Sequence, residues 1–181
     1  MPLVTRLTES LRIRHPVLLA PMALVSGGAL AGAVSAAGGL GIIGGGYGDP
    51  VWLEDQFAAA GNLRIGCGFI TWSLAARPQL LDLALAREPA AVMLSFGDPR
   101  PFAARIKAAG AQLICQVQTL AHVEEAIAAK ADIIIAQGAE AGGHGALRGT
   151  LPFVPAVVDA VRRQAPETIV VAAGGIAEGR G

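Results

Sequence analysis

The chain has few of the residues that characterise secreted or nucleic-acid-binding proteins. Two cysteines, Cys67 and Cys115, among 181 residues are too few for a disulfide framework and favour a reducing, cytoplasmic setting. Basic and acidic residues number 14 each, so the formal net charge is zero, and no basic cluster is present that would bind nucleic acid. No run of about 18 apolar residues is free of glycine and charge, and the amino terminus does not resemble a secretion signal. We therefore expect a soluble protein with neither a membrane nor a nucleic-acid partner.

Hydrophobic residues, in contrast, are abundant at 53%, whereas charged residues make up 15%. A chain of this length and composition buries a sizeable core, so we expect a single domain over residues 1–181. Short apolar runs alternate with segments of helical character. The seven predicted strands are 17–22, 40–43, 64–70, 90–96, 112–117, 132–135 and 168–173. The six predicted helices are 27–37, 50–60, 78–87, 99–109, 119–129 and 152–164.

This alternation predicts right-handed βα units and an all-parallel sheet. Strands that are apolar throughout indicate a sheet covered on both faces. A doubly wound sheet and a barrel both satisfy these conditions. The first strand, however, is not followed by a dinucleotide fingerprint, and unusual residues follow the first, fifth, sixth and seventh strands. We therefore predict an α/β fold of the (β/α)8 TIM barrel type. Because such a barrel has eight strands, we expect the eighth unit to be missing and the chain to be the front portion of a longer protein.

A glycine-rich loop containing a single histidine follows the sixth predicted strand. His144 is the only one of three histidines that lies in a loop directly after a strand. A neutral imidazole there accepts a proton near physiological pH, which suits a general base, and a surface histidine without a role is the equally weighted alternative. His15 and His122 are expected to be structural or solvent-facing. Glu140, in the same loop, is expected to be a surface charge.

Two other features lie at the ends of predicted strands. Gly174 and Gly175 follow the seventh strand, where backbone N–H groups can bind a phosphate, although a glycine doublet is more often a simple turn. Gln116 and Gln118 are two residues apart and therefore share one face of the fifth strand. If that face points inward, their amides suit the polar edge of a heterocycle, and a buried amide bonded to backbone is the alternative. No metal ligands are predicted.

Three segments, 19–22, 137–144 and 172–177, together resemble the nitronate monooxygenase family, formerly called 2-nitropropane dioxygenases. The resemblance covers essentially the whole chain. It implies an FMN-containing barrel whose partners are a small nitro compound and dioxygen. Members of this family oxidise alkyl nitronates, and in some cases neutral nitroalkanes, to a carbonyl compound and nitrite. The histidine loop also resembles that of the related FMN-dependent enoyl-ACP reductases.

The resemblance further implies roles for individual residues. His144 matches the catalytic base that takes the α-proton of a nitroalkane. Eight residues match positions that contact FMN: Ala20, Pro21, Met22, Gln116, Gln137, Gly142, Gly174 and Gly175. The first three would pack on the flavin, the glutamines would lie near its ring or ribityl chain, Gly142 would approach through its backbone, and the last two would hold the phosphate. Many members place asparagine where this chain has Gly68, so one side-chain contact to the flavin is expected to be missing.

Two alternatives to the nitronate monooxygenase interpretation stay open. One is an enoyl-ACP reductase that uses NADH and FMN. The other is an inactive, truncated barrel that acts only as a binding module. A homo-oligomer is compatible with all three.

Overall fold

The computed structural model describes residues 3–145 and 147–178, which contain one parallel sheet. Its strands are β1 (Ile42–Gly44), β2 (Gly66–Ile70), β3 (Ala91–Ser95), β4 (Gln112–Val117), β5 (Ile133–Gln137) and β6 (Ile169–Ala173). The helices in these residues are α1 (Arg6–Leu11), α2 (Gly28–Ala37), α3 (Pro50–Ala60), α4 (Thr71–Ala76), α5 (Gln79–Leu85), α6 (Arg100–Ala108), α7 (Leu120–Ala128) and α8 (Thr150–Gln164). Every strand pairs in parallel with the next one along the chain. Consecutive parallel strands separated by helices are the TIM-barrel arrangement, so the predicted fold class is confirmed.

The first predicted strand, 17–22, is wrong in extent. A single parallel bridge joins Leu18 to Leu40, and the rest of the segment forms no ladder. Pro16 and Pro21 lie on either side of the bridge, and neither has an N–H to donate to a neighbouring strand. The segment therefore occupies the position of a barrel strand next to β1 but pairs at only one point.

Alternate residues of most strands enter two separate apolar clusters. Ala91 and Met93 of β3 belong to a cluster inside the sheet, whereas Val92 and Leu94 belong to the cluster between the sheet and the helices. The period of two follows from the pleat of a strand. Because both faces are covered, the strands are apolar throughout, as their sequences predict.

Helix α1 closes the inner cluster at the amino-terminal ends of the strands. Leu7 and Leu11 are buried in that cluster, and Gln112, the first residue of β4, donates from Nε2 to the carbonyl of Ser10 at 3.0 Å. The active sites of TIM barrels lie at the opposite, carboxyl-terminal end. The functional site is therefore to be sought where the strands end.

Capping side chains mark the starts of α1, α3 and α7. Asp49 caps α3, its Oδ1 accepting from the N–H groups of Val51 at 3.0 Å and Trp52 at 3.1 Å. Thr119 caps α7 through the N–H of His122 at 3.2 Å, as predicted. Helices α1 and α4 are not among the predicted helices. Helix α8 begins at Thr150, two residues before its predicted start.

The outer edge of β6 sets this strand apart from the others. All residues of β5 are buried, whereas those of β6 are half-exposed or exposed. No strand in the described part of the chain pairs with that edge, and a cleft separates it from residues 16–20. Among the helices described, none has the length and apolar character needed to cross a bilayer.

Candidate active site

A cavity of about 1120 Å³ runs along the open side of the sheet, between β6 and residues 16–20. It extends to the carboxyl-terminal ends of β4, β5 and β6, where Gln116, Gln137 and Gly174 line it. Small-molecule and cofactor pockets are usually roughly 300–1,000 Å³ in volume. The cavity is therefore large enough for a cofactor together with a substrate.

Most of the predicted cofactor contacts lie on the wall of this cavity: Ala20, Met22, Gln116, Gln137, Gly142, Gly174 and Gly175. Pro21 does not line it, because its ring packs against Gly68. A Cβ on Gly68 would lie 2.4 Å from the Cβ of Pro21, far inside van der Waals contact. A side chain at position 68 would therefore collide with the proline ring.

Three side chains form a row of hydrogen bonds across the ends of β3, β4 and β5. Ser95 donates from Oγ to Gln116 Oε1 at 3.1 Å, Gln116 donates from Nε2 to Gln137 Oε1, and Gln137 donates from Nε2 to the carbonyl of Gly142 at 3.3 Å. Gln137 is buried, so these bonds satisfy amide groups that burial would otherwise penalise. The row connects the sheet to the histidine loop.

Gln118 lies on the same face of its segment as Gln116, as their spacing predicts. Both donate to Gln137 Oε1, Gln118 at 2.9 Å. The Nε2 of Gln118 also donates to the backbone carbonyl of His144. This last contact joins β4 to the loop after β5, and no sequence spacing could have indicated it.

His144 presents an exposed imidazole at the tip of the loop, next to Gly143 on the cavity wall. Its ring contacts that of Phe96, with 5.4 Å between ring centroids and 58° between ring planes. Within residues 3–145 and 147–178, no hydrogen bond reaches either ring nitrogen. Both nitrogens can therefore exchange protons with a ligand, which the predicted role as a base requires. That role stays a prediction.

Glu140 is more than the surface charge that the sequence predicts. Its Oε2 accepts from the backbone N–H of Thr150 at 2.7 Å and from the Thr150 hydroxyl at 2.8 Å. The hydroxyl bond first, and the backbone bond second, lower the pKa of the Glu140 carboxyl. Helix α8 has no side-chain cap of its own at Gly149, so Glu140 supplies one from the histidine loop.

The glycine doublet after β6 has a conformation that demands glycine. The φ angles of Gly174 and Gly175 are +118° and +73°. A Cβ on Gly174 would lie 2.6 Å from Thr150 Oγ1, and one on Gly175 would lie 3.3 Å from the Cβ of Glu140. The doublet therefore packs tightly on the base of the histidine loop while its backbone faces the cavity. Phosphate binding by these two residues stays a prediction.

The remaining candidates lie away from the cavity. His122 accepts from the N–H of Gln118 at 3.4 Å through Nδ1, and His15 is exposed beside Gly38. Both arrangements agree with structural or solvent-facing histidines. Cys115 is buried and unpaired, and burial raises the pKa of its thiol to about 12, so it is not a nucleophile at neutral pH.

The family model of nitronate monooxygenase matches residues 4–65 and 70–181. Nearly the whole chain is therefore covered, including the histidine loop and the glycine doublet. The chain belongs to the nitronate monooxygenase family. A nitronate monooxygenase of Neurospora crassa is 32% identical to it, over 93% of this chain and 55% of that protein.

The chain is also similar to proteins with other names. The (3aS,4S,5R,7aS)-5-hydroxy-7a-methyl-1-oxo-octahydro-1H-indene-4-carboxyl-CoA dehydrogenase of Rhodococcus jostii is 31% identical, over 98% of this chain and 49% of the relative. The structure of FabK from Thermotoga maritima superposes with a TM-score of 0.87 and 33% identity, over 98% of this chain and 56% of FabK. The chain thus spans about half the length of the relatives it matches.

Proposed function

We propose that residues 1–181 belong to the FMN-binding barrel domain of an enzyme that oxidises alkyl nitronates and nitroalkanes with dioxygen, giving a carbonyl compound and nitrite. The observation that carries the proposal is an exposed His144, with unbonded ring nitrogens in the described structure, beside a cavity lined by amides and a glycine turn. Similarity to proteins named nitronate monooxygenase supports the reaction class.

The side chains and backbone around the cavity fit FMN. Gln116 and Gln137 offer amide groups for the polar edge of the flavin ring or for its ribityl chain. The positive φ angles of Gly174 and Gly175 allow backbone N–H groups to approach a phosphate without a side chain in the way. Met22, 41% exposed, provides an apolar surface for packing. When bound, FMN would accept electrons from the substrate and pass them to dioxygen.

The chain itself supplies the proton chemistry. A neutral nitroalkane must lose its α-proton before oxidation, and the imidazole of His144 is the group placed to take it. Gln118 holds the loop through its side-chain amide, which donates to the backbone carbonyl of His144. This bond leaves the imidazole available for the substrate. A nitronate has already lost that proton and needs no base.

The decisive experiment is His144→Asn assayed on both kinds of substrate. We expect turnover of a neutral nitroalkane to fall by roughly 10²- to 10⁴-fold, the usual cost of a lost general base, with a much smaller loss on the pre-formed nitronate. Flavin content per chain should be unchanged. His15→Asn is the matched control, because His15 is exposed and lies outside the cavity wall. Equal losses on the two substrates would show that His144 is not the base.

An enoyl-ACP reductase is the second candidate function, supported by the likeness to FabK. Anaerobic mixing separates the two candidates. Rapid bleaching of the flavin by NADH favours the reductase, whereas bleaching by a nitronate favours the monooxygenase. A colourless protein that reacts with neither favours the binding module.

A further inference from the structure

Phe96 has a backbone conformation that large side chains rarely adopt. It is the first residue after β3, and its φ is +64°. The left-handed region is disfavoured for residues with a Cβ, and a bulky aromatic there is a genuine outlier. The turn is completed by Gly97, where a Cβ would lie 3.0 Å from the Cβ of Thr71. The chain thus keeps a strained phenylalanine where glycine would be the easy choice.

The phenyl ring of Phe96 contacts the imidazole of His144. Along β3, residues 91 and 93 point into the barrel, and Ser95 continues that face by bonding to Gln116. A continued strand would send the side chain of Phe96 to the opposite face, toward the helices. At the left-handed turn, the ring of Phe96 lies 5.4 Å from the ring of His144 and is tilted by 58° to it. This geometry lies within the range of favourable edge-to-face aromatic pairs.

The backbone and the side chain of His144 make different contacts. Gln118 bonds to its carbonyl oxygen, which places the main chain of the loop but leaves the imidazole free to rotate about χ1 and χ2. In the described part of the chain, no hydrogen bond fixes the ring nitrogens. The ring of Phe96, in contrast, packs against the imidazole itself.

We propose that Phe96 is a positioning residue, whose ring orients the imidazole of His144 for removal of the α-proton of a nitroalkane. This inference rests on the proposed function. A general base must reach hydrogen-bond distance from the proton it abstracts, and a freely rotating ring spends only part of its time in that geometry.

The test replaces Phe96 by glycine and by tyrosine. Phe96→Gly removes the ring while relieving the positive φ, so poor folding does not confound the result. Phe96→Tyr keeps a ring in place and should rescue function. Tyr47→Ala is the matched control, because Tyr47 is an exposed aromatic residue whose ring pairs with Trp72 and not with His144. His144→Asn serves as the reference for loss of the base.

Two readouts are needed, activity and the NMR signals of the histidine rings. In Phe96→Gly, we expect nitroalkane turnover to fall about 10- to 100-fold more than nitronate turnover, as for a misplaced catalytic group. The ring-current shift of the His144 proton signals should disappear, while the signals of His15, which lies away from Phe96, stay unchanged. The first readout reports positioning, and the second reports geometry without any need for bound flavin.

The outcomes discriminate between the two proposals. A selective loss in Phe96→Gly, with rescue by tyrosine and no effect of Tyr47→Ala, supports the role of Phe96. Equal losses on both substrates, or an unchanged His144 signal, overturn it while His144→Asn still shows its selective loss. If His144→Asn itself shows no selectivity, the base assignment fails, and the inference fails with it.

Discussion

Phe96, just after β3, and Gly175, just after β6, both have left-handed backbone. For Gly175, with φ at +73°, the residue type itself signals the turn, so the sequence alone predicts a special backbone there. Phe96, at +64°, carries no such signal, and its sequence reads as the last residue of a strand. The glycine turn of the site is therefore visible in the sequence, whereas the aromatic neighbour of His144 is not.

The tight turn at Gly175 leads to a prediction about cofactor retention. Gly175→Val should lower flavin content, because a β-branched residue resists positive φ and its Cβ would crowd the Cβ of Glu140 at 3.3 Å. Gly110→Val is the matched control, since φ is +78° there and the space around it is open, far from the cavity. We expect similar losses of thermal stability in the two variants but loss of flavin absorbance per chain only in the first. Full flavin occupancy in Gly175→Val would refute the phosphate assignment.

At the scale of elements, the start of α8 depends on a residue outside the helix. Glu140 caps it through two bonds to Thr150, and these bonds lower the pKa of the carboxyl. A carboxyl whose pKa is lower in the folded than in the unfolded chain stabilises the fold at neutral pH, and this contribution disappears as the pH falls through the lowered pKa. The bonds between the histidine loop and α8 should therefore stabilise the fold more at neutral pH than at acidic pH.

This coupling predicts the pH dependence of a variant. Glu140→Gln should have a lower Tm than the parent at neutral pH, and the difference should shrink as the pH falls through the lowered pKa of the parent carboxyl. Glu54→Gln, on the exposed face of α3, is the control and should change Tm little at any pH. Thermal melts followed by circular dichroism measure both. A Tm difference independent of pH would contradict the ionised cap.

Some elements were predictable from sequence and others were not, for identifiable reasons. The strands β2 to β6 are apolar runs bounded by turn residues, and their predicted positions hold to within a few residues. Helix α1 has only 6 residues and a capping box made by Thr5 and Thr8, without the glutamate or glutamine that usually marks such a box. Helix α4 follows β2 with no loop between them, so no turn residue in the sequence marks where the helix begins.

At the scale of the whole molecule, the open edge of β6 should govern association of the 181-residue chain. Ile169 donates to Asp132 on the β5 side at 3.0 Å, so residues 170 and 172 direct their N–H groups to the open edge. Bare strand edges pair with other chains. Ala172→Pro removes one outward donor and leaves the ladder to β5 intact, so we expect less self-association, measured by size-exclusion chromatography with light scattering.

The control for this prediction is Ala173→Pro, which removes the N–H donor on the side of β6 that faces β5. Ala173 accepts from Gly138 at 2.9 Å and so faces β5. This variant should lose stability and associate more, not less. Identical behaviour of the two proline variants would mean that association does not use the edge of β6.

The layout of the candidate site follows from topology, whereas its fine geometry does not. Residues at the carboxyl ends of parallel strands must meet, so grouping Gln116, Gln137 and Gly174 needed only the strand positions. The fine geometry depends on side-chain packing between units distant in sequence. Examples are the direction of the amide row, the bond from Gln118 to the loop and the packing of Pro21 against Gly68. Periodicity and turn signals carry no information of that kind.

The order of the strands has a consequence for how the protein is made. Each strand pairs with the one translated immediately before it. A chain emerging from the ribosome amino terminus first can therefore extend its sheet one unit at a time, with every new strand finding its partner already folded. At each stage the growing molecule carries a fresh, unpaired edge. Neighbouring chains can therefore pair with the growing sheet already during translation, when ribosomes on one message hold identical nascent sheets close together.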